Sequence, residues 1–74
     1  MTSTPVVSNS LSAVGYQRQR ELLQVKFVSG ETYQYSAVPE SVYLSLMAAE
    51  SKGRFFNQYI RSRYSYAKVL FIKK

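Results

Sequence analysis

Residues 22–39, LLQVKFVSGETYQYSAVP, constrain the fold more tightly than any other stretch of this chain. Leu23, Val25 and Phe27 alternate with Gln24 and Lys26, the pattern of a half-buried strand. A second run follows, with Tyr33 and Tyr35 on one face and Thr32, Gln34 and Ser36 on the other. Ser29-Gly30 between them is a hairpin signal. Parity then selects the register. A two-residue loop pairs Phe27 with Thr32 and sets the tyrosines against the polar face of the first strand. A three-residue loop, Val28-Ser29-Gly30, pairs Val25 with Tyr33 and Leu23 with Tyr35, so both apolar sets share a face. A slip of one residue would expose a whole apolar row, which favours the longer loop. Gly30 then occupies a positive-φ position that glycine fills without a Cβ clash. Pro39, lacking a backbone donor, ends the strand and suits the first turn of a helix.

At 74 residues the chain has room for one small domain. A hydrophobic share of 46% is that of a folded protein. The absence of Cys and His removes thiol chemistry, disulfides and the usual zinc sites. There is no apolar run of membrane-spanning length and no signal-peptide pattern, so a cytoplasmic protein with no membrane association is expected. The net charge of +6 is lopsided. Residues 1–50 carry three cations against four glutamates, and residues 51–74 carry seven cations and no acid. A one-sided basic segment points to a polyanionic partner, or else serves solubility alone.

Residues 1–7 read as a flexible N-terminal tail. Residues 11–16 can form a first strand with Val14 and Tyr16 on one face, and Gly15 marks a bulge or a close backbone approach. After Pro39, Val42, Leu46 and Ala49 recur at helical spacing, widened by Tyr43 and Met47, with Glu40 favourably placed in the first turn. Ser51 can cap a second helix over residues 54–63 by accepting a backbone N–H from Gly53 or Arg54. On that helix Phe55 pairs with Tyr59 and Phe56 with Ile60, while Arg54, Asn57, Gln58 and Arg61 form one polar stripe. Residues 68–72, KVLFI, read as a last strand, with Lys73 and Lys74 discouraging edge pairing. The architecture expected is α+β: a three- or four-stranded antiparallel sheet with two helices packed on one face.

The ordered set Gly15-Tyr16, Leu23, Val25, Phe27, Gly30, Tyr33-Gln34-Tyr35, Val38-Pro39, Ala49, Ser51, Gly53, Asn57, Ile60 and Tyr64 resembles the KTSC domain. This is a short module found at the C-terminus of some lysyl-tRNA synthetases and as stand-alone bacterial and phage proteins. The resemblance implies residues 8–64 as the domain and leaves residues 65–74 as a basic extension, able to add a strand. It implies no established activity; RNA binding is the usual suggestion for the family.

Lys52, Arg54, Asn57, Gln58, Arg61, Arg63 and Lys68 are the candidate contacts to phosphates or to a partner protein, against a plain alternative of a solvated helix face. Gly53 either allows a close approach or relieves a tight turn between helices. Tyr33 and Tyr35 are either stacking platforms for bases on an open sheet face or core residues under the helices, and parity favours the core. No pair of catalytic groups stands at a readable spacing, so a non-enzymatic module is expected, with no cofactor, metal or small-molecule substrate. The expected partner is RNA or DNA. The alternative is an acidic surface of a host complex such as RNA polymerase, on which a small monomeric protein of a bacterium or phage-infected cell would dock to regulate transcription. An exposed apolar patch at Phe71 and Ile72, or a free strand edge, would favour that alternative.

Overall fold

A computed structural model of the chain describes residues 3–69. Five strands form one antiparallel sheet in sequence order: β1 (Ser3–Pro5), β2 (Leu11–Gln17), β3 (Leu22–Phe27), β4 (Thr32–Tyr35) and β5 (Tyr66–Val69). Helices α1 (Glu40–Ala48) and α2 (Lys52–Tyr59) lie between β4 and β5 in the chain. Both helices pack on one face of the sheet, so the α+β architecture is as expected.

The central hairpin takes the register that parity selects. Val25 faces Tyr33 and Leu23 faces Tyr35. Gly30 has φ +100°, and its N–H donates to the Phe27 carbonyl at 2.9 Å to close the turn. The apolar row continues across β2, where Val14 pairs with Val25 and Tyr16 with Leu23. Leu11, Val14, Leu23, Val25 and Tyr35 from the sheet meet Val38, Leu46, Phe56 and Ile60 in one buried core. Tyr16 stacks on Tyr43 of α1 with ring centres 4.8 Å apart, and its hydroxyl donates to the Val38 carbonyl at 2.6 Å. Pro39 sits at the N-cap of α1 in extended conformation. Ser51 caps α2 by accepting the Arg54 N–H at 3.3 Å.

Five sequence-based expectations need correction. First, the sheet has five strands instead of three or four, because Ser3–Pro5 pair with residues 13–15 of β2 instead of belonging to a loose tail. The small, uncharged residues of β1 cover the β2 edge, and Pro5 is tolerated there because an edge strand can spare a donor. Second, of the two readings of Gly15 the bulge fails: the β2–β3 register shifts between Leu11 and Ala13, and Gly15 pairs with Gln24. Third, Thr32 lies on the polar face yet is buried, held between Lys26 and Val69 in its row of the sheet. Fourth, α2 starts at Lys52 and ends at Tyr59, with Ile60 leaving helical geometry, so Arg61 and Arg63 lie beyond it. Fifth, the last strand starts at Tyr66, two residues before the expected 68, and is described to Val69; the rest of the expected strand, positions 70–72 with Phe71 and Ile72, and Lys73 and Lys74 lie outside the described residues.

The face away from the helices carries Ser3, Gly15, Gln24, Gln34 and Ala67 in one row. The Gln34 amide donates to Gln24 at 2.9 Å, and Gln24 donates to Ser3 at 3.4 Å. Side-chain hydrogen bonds therefore link β4, β3 and β1 on that polar face.

Candidate nucleic-acid interface

Seven of the nine candidate binding residues line one or both of two clefts, and Arg63 and Lys68 line neither. The first, about 700 Å³, opens between α2, the β3–β4 turn and β5. Its aromatic wall is Phe27, Tyr33, Tyr35, Phe56 and Tyr66, and Asn57, Arg61 and Ser62 supply polar groups. The second, about 590 Å³, lies at the start of α2 and is lined by Lys52, Arg54, Asn57 and Gln58 facing Ser8, Asn9 and Ser10. Asn9, Ser10, Gly53 and Asn57 line both clefts.

Local sequence explains this arrangement. Phe56 and Ile60, four residues apart, anchor α2 on the core, which turns Arg54, Asn57 and Gln58 to solvent. Gly53 lets the first turn of α2 approach the β1–β2 loop, since a Cβ there would stand 3.2 Å from the Ser10 hydroxyl oxygen. Although Arg61 follows the helix, its guanidinium Nη1 still donates to Asn57 Oδ1 at 3.4 Å, so the end of the polar stripe survives without helical geometry. Lys52 donates to the Ala49 carbonyl at 3.2 Å. Arg63 stands over the Tyr59 ring at 5.9 Å and lines neither cleft. Lys68 is paired with Glu31 at 2.9 Å, and that hydrogen bond holds its ammonium above the ordinary lysine range.

The two tyrosines of the YxY motif are on the helix side of the sheet, not on an open face. Tyr35 is 3% exposed and meets Phe56 edge to face. Burial pushes its hydroxyl pKa up, opposed by the nearby Arg61 charge. Tyr33 is partly exposed in the first cleft, edge to face with Phe27. The ring that sequence reasoning missed is Tyr66, 59% exposed and tilted over both Tyr33 and Tyr35 at 5.4 and 5.5 Å. Its signal is the strand parity of β5, which puts Tyr66 opposite Tyr35, whereas the apolar run 68–72 predicts a strand that starts two residues later. Among the described residues there is no cluster of acidic side chains able to hold a metal and no helix long and apolar enough to cross a membrane.

A five-stranded antiparallel sheet in sequence order with both helices on one face, and an aromatic cleft beside α2, defines a small α+β domain. The chain belongs to the KTSC domain family, whose profile matches residues 7–64. A protein of Tsukamurella paurometabola is 42% identical over 60 residues, covering 81% of this chain and 90% of that one. A lysine–tRNA ligase of Nostoc punctiforme is 35% identical over 54 residues, 73% of this chain but 10% of the enzyme. The crystal structure of a KTSC domain protein from Yersinia pestis superimposes with a TM-score of 0.88 at 36% identity, covering 92% of this chain and 96% of that one.

Proposed function

We propose that this chain is a non-enzymatic module that binds RNA or DNA in the cytoplasm through the exposed polar side of α2 and the segment after it. The observation that carries this is the placement of Arg54, Asn57, Gln58 and Arg61, all exposed and lining two adjoining clefts. Lys52 stands beside them, and the described chain from Ser51 onward contains no acid. Amide and guanidinium groups suit phosphate and sugar oxygens, and such contacts position a nucleic acid without reading its sequence. The relationship to a segment of lysine–tRNA ligases accords with an RNA partner.

The test is binding of single-stranded and duplex RNA and DNA across a salt series. Three phosphate contacts, from Lys52, Arg54 and Arg61, give a log–log slope of about −2 to −3. The double variant Arg54→Glu, Arg61→Glu should remove binding and keep the circular dichroism spectrum, because both side chains are solvent-facing. If the native protein binds none of these nucleic acids even at low salt, the proposal is wrong. Docking on an acidic protein surface such as that of RNA polymerase, through the same cations or the edge strand β5, would then take its place.

A further inference from the structure

We infer that the first cleft receives an unpaired base of a single strand, stacked on Tyr66, while the phosphates flanking that base run over Arg61 and on toward Arg54. This rests on the nucleic-acid proposal above and adds to it a strand type and a residue that reads it. Tyr66 is the starting observation. It is the most exposed aromatic side chain among the described residues, and the core does not need its outer ring face. Its neighbours Tyr33 and Tyr35 hold the ring from one side, so the platform is formed before any ligand arrives. A pre-positioned ring spares a ligand the cost of ordering it.

The surroundings fit one base and its backbone. The cleft volume of about 700 Å³ is in the range of small-ligand sites, about 300–1,000 Å³. Asn57 Oδ1 accepts a hydrogen bond from the Arg61 guanidinium, which leaves the Asn57 amide N–H groups for a base edge or a phosphate. Glu31 is the one acid in the lining, and Lys68 pairs with it at 2.9 Å. Phosphate therefore meets Arg61 without an unpaired carboxylate opposite. The low crossing between the clefts at Gly53 connects this site to Lys52 and Arg54, so a continuous strand can use both. A duplex offers neither feature, because its bases are stacked on one another and show no free ring face to Tyr66. Single strands gain about 5- to 150-fold in affinity from each base stacked on an aromatic side chain, with little dependence on base identity.

The experiment uses the full chain and four probes: a short single-stranded RNA, the same strand annealed into a duplex, the same strand with abasic positions, and a free nucleoside monophosphate. We expect the single strand to bind at least about fivefold tighter than the duplex and the abasic strand. The monophosphate should bind weakest of all, since it lacks the further phosphates for Lys52 and Arg54. Tyr66→Ala should bring the single strand down to the abasic level, and Tyr66→Phe should keep the native affinity. Circular dichroism controls for unfolding of the alanine variant, and the abasic comparison on native protein needs no variant at all. Equal, salt-sensitive binding of single strand, duplex and abasic strand would overturn the stacked base and leave the basic-face proposal standing. A monophosphate that binds as tightly as the strand would make the occupant a free nucleotide and overturn the strand. Failure of every probe at low salt would overturn both.

Discussion

Gly30→Val isolates the backbone cost of the central turn. Gly30 has φ +100°, and a Cβ built there meets nothing within 4 Å. Packing therefore contributes no penalty, and the whole effect comes from a conformation that a β-branched residue resists. Such backbone strain costs about 1–3 kcal/mol. Replacing glycine also restricts the unfolded chain, which offsets about 0.4–1 kcal/mol of that cost. The net loss should fall between about zero and 2.6 kcal/mol, centred on about 1.3 kcal/mol. For a domain of this size, each kcal/mol lowers the melting temperature by about 4–8 °C. Urea titration followed by circular dichroism should show a lower midpoint with an unchanged slope, because the surface exposed on unfolding stays the same. Gly30→Asn should lose less, since asparagine tolerates positive φ. An unchanged midpoint for the valine variant would refute the turn geometry. The pairing of Val25 with Tyr33 would then need another explanation.

Truncation after Tyr64 removes β5, leaves Tyr33 and Tyr35 uncovered on one side, and should lower stability by about 1–3 kcal/mol in thermal melts; a truncated chain that melts like the full one would show that β5 adds nothing to the core. The raised pKa of buried Tyr35 has a definite sign: the native state holds the phenol proton more tightly than the unfolded chain, whose tyrosine value is 10.0. Its contribution to stability is complete below about pH 10 and is lost as pH rises through the raised native value. Tyr35→Phe should flatten this alkaline decline in denaturant midpoints measured from pH 8 to 11, and an identical decline in both proteins would remove Tyr35 as its source.

The hairpin was legible because two independent signals agreed, alternation in both runs and a glycine at the only loop length that aligns them. The helices were legible for a similar reason: Pro39, Ser51 and the buried positions Leu46, Phe56 and Ile60 all point the same way. Strand β1 was not, because Ser3, Thr4 and Pro5 carry no apolar alternation, and their pairing is supplied by the neighbouring β2 edge. The residues of the two clefts were legible only in part, and their shape was not. Spacing put Arg54, Asn57, Gln58 and Arg61 on one stripe, yet it could not show that Asn57 would stand between two clefts. The end of α2 at Tyr59 was also hidden, since the i+4 partnership of Asn57 with Arg61 survives past the last helical turn. Tyr66 escaped notice because its exposure depends on where β5 begins, and the apolar run after it drew the strand forward.

The order of the sheet carries a dynamic consequence. Strands β1 to β4 are joined by short connections, whereas β5 closes on β4 only after both helices have intervened. That closure bears the largest loop entropy in the sheet, and the strand it adds, Tyr66–Val69 among the described residues, lies at an edge. Edge segments closed by a long connection are among those that can open locally, below the free energy needed to unfold the whole domain. The outer ring of the cleft thus sits on a strand held, among the described strands, by β4 alone. A molecule bound against Tyr66 would pin that strand, and the amides of β4 and β5 would exchange with solvent more slowly while the rest of the sheet kept its rhythm.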